Sequence, residues 1–96
     1  MDRDAILKTI ADHRTELARL GVKSLSVFGS VARDEPGPSS DVDVLVEFER
    51  PVGYFAYMDL KDYLEDLLQR RVDLVTPGAL KRQLRDRILS EAVRAA

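Results

Sequence analysis

The sequence has no cysteine, a single histidine and no long apolar run. The lack of cysteine excludes disulfide bonds and thiolate zinc sites, and one histidine leaves a histidine-based metal site without a second ligand. No stretch has the length and apolarity of a membrane span or a signal peptide, so we expect a cytoplasmic protein. The net charge of −2 argues against a positive electrostatic potential over the whole surface that would attract nucleic acid. Nucleic acid is therefore not expected as a direct ligand.

What the sequence does contain is typical of one small globular unit. Its 96 residues are 45% hydrophobic and 33% charged, which is an ordinary balance for a soluble chain. A chain of this length has room for a modest core. We therefore expect a single domain over residues 1–96.

Hydrophobic periodicity predicts helices and strands in alternation. Long helices are predicted at 4–20, 54–69 and 79–94, a short helix at 31–33, and strands at 25–28, 42–48 and 72–75. This order predicts an α/β (α+β) fold, with a small mixed sheet whose helices pack mainly on one face. The other face, which carries acidic residues, is expected to be open. The residues of helix 54–69 that are expected to pack on the sheet are Phe55, Met58, Leu64, Leu67 and Leu68.

Two aspartates lie two residues apart at the start of the second strand. Strand side chains alternate between faces, so Asp41 and Asp43 share one face and the valines between and after them share the other. Two carboxylates at one point repel each other unless a cation lies between them, and Mg²⁺ prefers such oxygen ligands. The alternative is a polar turn at Ser40 and Asp41, with Asp43 merely exposed on an edge strand.

A Gly29-Ser30 pair follows the first strand. Glycine allows a ligand close to the backbone, and N–H groups at a helix start bind phosphate oxygens. The Ser30 hydroxyl either adds a phosphate contact or simply caps the helix. Arg33, about one turn on, either reaches a phosphate or holds the loop that carries the aspartates. Neither a Walker A loop nor a Gly-x-Gly-x-x-Gly motif is present, so metal ions and basic residues from elsewhere must meet most of the phosphate charge.

Taken together, Gly29-Ser30 and Ser40-Asp41-Val42-Asp43 resemble the signature of the DNA polymerase β-like nucleotidyltransferase superfamily. With Ala32-Arg33, Leu45-Val46 and the six-residue spacing, the pattern is similar to its small prokaryotic branch, the minimal nucleotidyltransferases. The resemblance covers nearly the whole chain and extends to Val72-Asp73-Leu74-Val75.

The resemblance implies a polymerase β-like core with a third carboxylate, for which Asp73 is the candidate. It implies two Mg²⁺ ions about 3.5–4 Å apart, shared by Asp41, Asp43 and Asp73, with Asp73 nearest the attacking hydroxyl. The alternative for Asp73 is an exposed acid on an edge strand. The residues expected on the nucleotide side are Gly29, Ser30, Arg33 and Ser40.

The resemblance also implies a function. Minimal nucleotidyltransferases are commonly paired with helical HEPN-type toxins, so the expected reaction moves AMP from ATP onto a hydroxyl of such a partner, with a tyrosine as acceptor. The protein would then be the antitoxin of the pair. The alternative is a non-catalytic module that neutralises a toxin by contact alone.

Overall fold

The computed structural model describes residues 2–33 and 41–96, so Ser40 and the predicted loop before it lie outside the described residues. Five α-helices and four strands follow one another along this part of the chain. In chain order they are α1 Arg3–Asp12, α2 Arg14–Arg19, β1 Val22–Phe28, α3 Gly29–Ala32, β2 Val42–Phe48, α4 Tyr54–Leu68, β3 Val72–Val75, a 3-10 turn at Pro77–Ala79, α5 Arg82–Glu91 and β4 Val93–Arg94.

The strands form one mixed sheet in the order β3-β2-β1-β4. Strand β1 pairs antiparallel with β2 and with β4, whereas β2 and β3 run parallel, with α4 as the connection between them. Parallel strands need such a crossover because both must start at the same end of the sheet. The predicted mixed sheet is therefore confirmed, and the strands at 42–48 and 72–75 have their predicted bounds.

The core lies on one face of the sheet, under α1, α2 and α4. Every second residue of β2 faces it, and Val42, Val44 and Val46 are fully buried. The helices contribute a row of apolar side chains that are buried almost completely: Ile6, Ile10, Leu17, Leu60, Leu64 and Leu68. Because the core uses this face, the odd-numbered residues of β2 are left for the other one.

The prediction of one continuous helix over residues 4–20 is wrong. Two helices replace it, because His13 leaves the helical conformation at φ −109° and ψ 17°. The His13 imidazole bonds the carbonyl of Thr9 at 2.7 Å, and this contact stabilises the break. The first strand is also longer than predicted, since pairing with β2 extends it back to Val22.

The predicted packing of α4 is correct only in part. Leu64 and Leu68 are buried as expected, but Leu60 is buried in place of Phe55, which is 82% exposed. Met58 and Leu67 are half-buried. The buried leucines recur every four residues, so the face that meets the sheet is narrower than the apolar content of the helix suggests.

The predicted last helix also needs correction. It begins at Arg82, after a 3-10 turn, and ends at Glu91, where Ala92 turns to extended backbone and β4 joins the edge of β1. None of its residues is buried. The short strand β4 was missed because two residues carry no periodic pattern; the neighbouring strand alone defines it.

None of the helices in the described ranges has the length and apolarity needed to cross a membrane.

Truncating the core face of α4 should destabilise the protein strongly. We expect Leu64→Ala to lower the free energy of unfolding by about 2–5 kcal/mol, because a cavity remains where the fully buried side chain was. The matched control is Leu89→Ala on α5, whose side chain is 47% exposed, with an expected change of about 0.5 kcal/mol or less. Urea denaturation followed by circular dichroism measures both. Equal losses in the two variants would contradict the assignment of the core to this face.

Candidate active site

Strand pairing brings the predicted acidic residues together at one end of the sheet. Asp43 of β2 lies directly opposite Asp73 of β3 in the parallel register, and Asp41 lies two residues before Asp43, just ahead of β2. The valines that flank Asp43 are fully buried, so its carboxylate must point to the opposite face. Asp41 and Asp73 are exposed and Asp43 is half-buried. All three predicted carboxylates therefore meet on the open face.

Burial and neighbouring charges both act on the Asp43 carboxyl. Burial raises the pKa of the Asp43 carboxyl above its usual value, and the charges of Asp73 and Asp41 raise it further. The Arg33 guanidinium opposes them and lowers the same pKa. Repulsion by like charges and loss of hydration both disfavour the ionised carboxyl, and a bound cation would relieve both.

The donor set fits a hard divalent cation. It consists of carboxylate oxygens alone, the ligands that Mg²⁺ and Ca²⁺ prefer. Within residues 2–33 and 41–96, however, no three acidic or histidine side chains stand close enough together to form a ready-made metal group. The register of β2 and β3 brings carboxylate ligands to one face of the sheet.

Gly29 makes room for the central carboxylate. Its φ of +72° is rarely adopted by other residues, and a Cβ built at this position would lie 2.1 Å from Oδ2 of Asp43. Its place after the first strand predicts a glycine that lets a phosphate approach the backbone. In the structure its nearest neighbour is Asp43 itself, so the glycine is needed for the acidic site before any nucleotide is considered.

The short helix α3 links the glycine to the basic residue of the motif. It begins at Gly29, not at Val31 as predicted, and has a single turn. Arg33 follows it, and its Nη1 lies 3.3 Å from Oε2 of Glu91 at the end of α5. Glu91 also pairs with Arg87 of α5, with 3.6 Å between Nε and Oε1. Arg33 is therefore tied to α5 while its charge reaches Asp43.

Within residues 2–33 and 41–96, Asp41 and Asp73 of the acidic site are exposed. Two clefts of about 430 and 450 Å³ lie elsewhere, one beside α2 and one beside the far end of β2, and none of the three aspartates lines either. Ser30 lies within α3, where its backbone and hydroxyl remain candidates for phosphate contacts, and Ser40 falls outside the described residues.

Three further residues make contacts next to the site, and no sequence pattern indicates them. Glu91 pairs with Arg33 across 58 positions of the chain. Glu65 and Tyr57, both on α4, bond the backbone of β3 next to Asp73. Tyr57 is half-buried, and its ring also packs against the hydrophobic core. Only a map of contacts between distant residues would have found this set.

Substitution of Gly29 should damage the site more than the fold. We expect Gly29→Ala to cost about 1–2 kcal/mol of stability, because alanine resists this backbone angle, and to abolish Mg-ATP binding because Asp43 must move. Calorimetric titration with Mg-ATP and thermal unfolding measure the two effects. The control is Gly78→Ala, where an added Cβ meets nothing within 4 Å. Unchanged Mg-ATP affinity in Gly29→Ala would contradict this role of the glycine. Ser30→Ala should weaken Mg-ATP binding only by the contribution of one hydroxyl hydrogen bond.

The raised pKa of Asp43 predicts that the site reduces stability at neutral pH. The folded state holds the proton of the Asp43 carboxyl more tightly than the unfolded chain does. The protonated carboxyl therefore contributes its full stabilisation when the pH is below the pKa of the unfolded chain. This stabilisation is lost as the pH rises through the raised folded pKa. In metal-free buffer with EDTA, Asp43→Asn should therefore unfold at a higher temperature than wild type near pH 7, and the difference should shrink toward about pH 4. Circular dichroism melts at several pH values test this.

Asp62→Asn on α4 controls for the loss of one exposed negative charge. If wild type and Asp43→Asn melt at the same temperature throughout this pH range, the three acids do not repel one another in the folded protein.

Comparison with known proteins places this site in a family. The model of the nucleotidyltransferase domain family matches residues 10–95. The protein adenylyltransferase MntA of Thermococcus cleftensis is 41% identical over 91 residues, which cover 94% of this chain and 92% of that protein. A protein assigned as an adenylyltransferase in Methanocaldococcus jannaschii is 52% identical over 60 residues, or 62% of this chain and 61% of that protein.

Solved structures share the fold. A structure assigned as a minimal nucleotidyltransferase superposes with a TM-score of 0.84 at 39% identity. The superposition covers 97% of this chain and 95% of that chain. A toxin–antitoxin structure with AMP-PNP gives 0.72 at 20% identity, over 90% and 72% of the two chains. A tri-AMPylated HEPN toxin of Shewanella oneidensis in complex with its MNT antitoxin gives 0.61 at 17%, over 91% and 71%.

The last two similarities, at such low identity, concern the fold alone. The family model and the T. cleftensis relative extend over nearly the whole chain, including β2, β3 and the loop between β1 and β2. Together with the acidic face described above, they confirm the predicted family: the chain belongs to the nucleotidyltransferase domain family and is an enzyme of the nucleotidyltransferase class.

Proposed function

We propose that the protein is a Mg²⁺-dependent adenylyltransferase that moves AMP from ATP onto a tyrosine hydroxyl of a HEPN-type partner toxin. The observation that carries the proposal is the register of β2 and β3, which sets Asp43 opposite Asp73 with Asp41 close by. The relatives add support, since the T. cleftensis protein is named a protein adenylyltransferase. Two structures with the same fold are toxin–antitoxin complexes, one with AMP-PNP and one with an AMPylated HEPN toxin.

The residues of the acidic face have different roles in this reaction. Asp41 and Asp43 would hold one Mg²⁺ together with the triphosphate, and Asp43 and Asp73 would hold a second beside the acceptor. When bound, Mg²⁺ offsets the negative charge of both the carboxylates and the phosphates. Arg33 lies near enough to Asp43 to lower its pKa, and it adds positive charge beside the phosphate-binding turn at Gly29 and Ser30.

The transfer exchanges one P–O bond for another. The acceptor hydroxyl oxygen forms a bond to the α-phosphorus, the bond from that phosphorus to the bridging oxygen breaks, and pyrophosphate leaves with the electron pair. Asp73 takes the hydroxyl proton. Its side chain is exposed, so it is placed to meet a hydroxyl that arrives from outside the chain.

The shape of the site favours a protein as acceptor. An enzyme that encloses a small acceptor needs a concave pocket, whereas Asp41 and Asp73 are exposed in the described part of the chain. A tyrosine presented on the surface of a partner needs only an open face with an exposed carboxylate. The partner itself would then cover the reacting groups.

The test is the intact mass of a HEPN-type protein encoded next to this chain, after incubation with ATP and Mg²⁺. Wild type should add one or more adenylyl groups. Asp43→Asn should lower the rate by about a hundredfold or more, because it removes a group that acts at the transition state. Asp73→Asn should lose transfer equally while it keeps most of the Mg-ATP affinity, which depends mainly on the other two acids.

Glu47→Gln serves as the control, since Glu47 is an exposed acid at the far end of the same strand. A partner toxin that gains no mass and is nevertheless silenced by wild type and Asp73→Asn alike would replace the enzymatic proposal with neutralisation by contact.

A further inference from the structure

Strand β3, which carries Asp73, is an edge of the sheet formed by residues 2–33 and 41–96, where its one neighbour is β2. The carbonyl of Arg71 accepts a bond of 2.9 Å from the N–H of Val42, so the backbone of the odd residues of β3 faces β2. In a strand the even residues then present their N–H and C=O groups away from the sheet. An edge of this kind offers unpaired groups to solvent unless something covers it.

Side chains from α4 cover this edge on both sides of Asp73. Oε2 of Glu65 accepts a bond of 3.0 Å from the N–H of Val72. The hydroxyl of Tyr57 donates to the carbonyl of Leu74. The residues before and after Asp73 are thus each bound through one of their outward-pointing backbone groups.

These two hydrogen bonds, from Tyr57 to Leu74 and from Val72 to Glu65, are called the clamps below. Tyr57 and Glu65 are eight residues apart, roughly 12 Å along the helix, while Val72 and Leu74 are roughly 7 Å apart along the strand. The two side chains therefore converge on Asp73 from opposite ends. Lys61 lies between them on α4, and its Nζ is 3.7 Å from Oε1 of Glu65, so the glutamate is itself oriented.

The Tyr57 hydroxyl stays protonated as this contact requires. Burial raises the pKa of the Tyr57 hydroxyl, the Asp73 carboxylate raises it further, and the Lys61 ammonium opposes the change. The tyrosine is therefore a donor at neutral pH. Its sensitivity to Asp73 also shows that the clamp and the carboxylate are neighbours.

We propose that Tyr57 and Glu65 are positioning residues that hold Asp73 in register with Asp43, and that loss of either clamp impairs transfer to the acceptor more than binding of the nucleotide. The activity part of this inference rests on the proposed function. The reason is geometric: β3 has four residues and pairs on one side only, and a shift of about 1 Å at a reacting group can cost about a hundredfold in rate.

Tyr57→Phe and Glu65→Ala each remove one clamp. We expect each to lower kcat for transfer by about tenfold or more while KM for Mg-ATP stays within about twofold, the pattern of a group that acts in the transition state. Glu65→Gln keeps an oxygen that accepts the Val72 bond, so it should retain most of the activity. A role in stability alone would give no such split between kcat and KM and no such rescue.

The matched controls lie on the same helix. Tyr63→Phe removes a hydroxyl from a tyrosine whose ring packs edge-on against His13, and Asp62→Ala removes an exposed acid. Both should leave kcat within about twofold of wild type. A kcat for Tyr57→Phe and Glu65→Ala that matches these controls would overturn the inference, as would a parallel loss of kcat and nucleotide affinity.

Hydrogen exchange in the free protein tests the clamps without any activity. In Tyr57→Phe and Glu65→Ala, the amide of Asp73 should exchange faster by about tenfold, with no change at Val27 in the centre of the sheet. Unchanged exchange at Asp73 would overturn the inference even with an active enzyme. If wild type transferred nothing to any partner, the proposed function would fail while faster exchange still supported the clamps.

Discussion

The parallel pairing of β2 with β3 forces like charges together, and the rest of the structure depends on this constraint. Register sets Asp43 against Asp73, and the alternation of strand side chains brings Asp41 to the same face. Burial raises the pKa of the Asp43 carboxyl, and the charges of Asp73 and Asp41 raise it further, so both disfavour its ionised form. The fold tolerates this arrangement because a fully apolar core on the other face of the same strands provides the stability.

Each element around the acids limits how they can move. Gly29 leaves the space that the Asp43 carboxylate occupies. Side chains of α4 bind the outer edge of β3 on both sides of Asp73, and Glu91 of α5 pairs with Arg33 beside Asp43. The carboxylates are thus held by backbone pairing and by distant side chains, while their oxygens remain available. A site that binds a cation and a triphosphate needs this combination, because ligands that are fixed in place lose little entropy on binding.

The same arrangement explains why Asp41 and Asp73 are exposed in the described structure. Helices α1, α2 and α4 bury one face of the sheet, and α5 buries none of its own residues. The acidic end of the sheet is consequently left open to a large acceptor. With a protein as the acceptor, the chain has no need to enclose the reaction, since the partner would exclude water when it docks.

The sequence by itself determined the parts of this protein that rest on local patterns. Alternation in Asp41 to Val46 is a property of any strand, so the shared face of Asp41 and Asp43 followed without a structure, and the joined Gly-Ser and Asp-x-Asp pattern indicated the family. The strands at 42–48 and 72–75 were bounded correctly because β-branched residues and flanking turn residues mark them. The core side of α4 was predicted in part, and Phe55 was misplaced, because periodicity gives the apolar stripe of a helix and not which part of it the sheet covers.

Only the tertiary structure decided what depends on residues far apart in the chain. The strand β4 and the extension of β1 both arise from pairing with neighbouring strands. The role of Gly29 follows from Asp43, fourteen positions later, and Asp73 gains its place from Asp43, Tyr57 and Glu65. A sequence pattern records which side chains share a face of one element. The distance between faces of different elements is set by packing and hydrogen bonds, and these are decided only when the whole chain has folded.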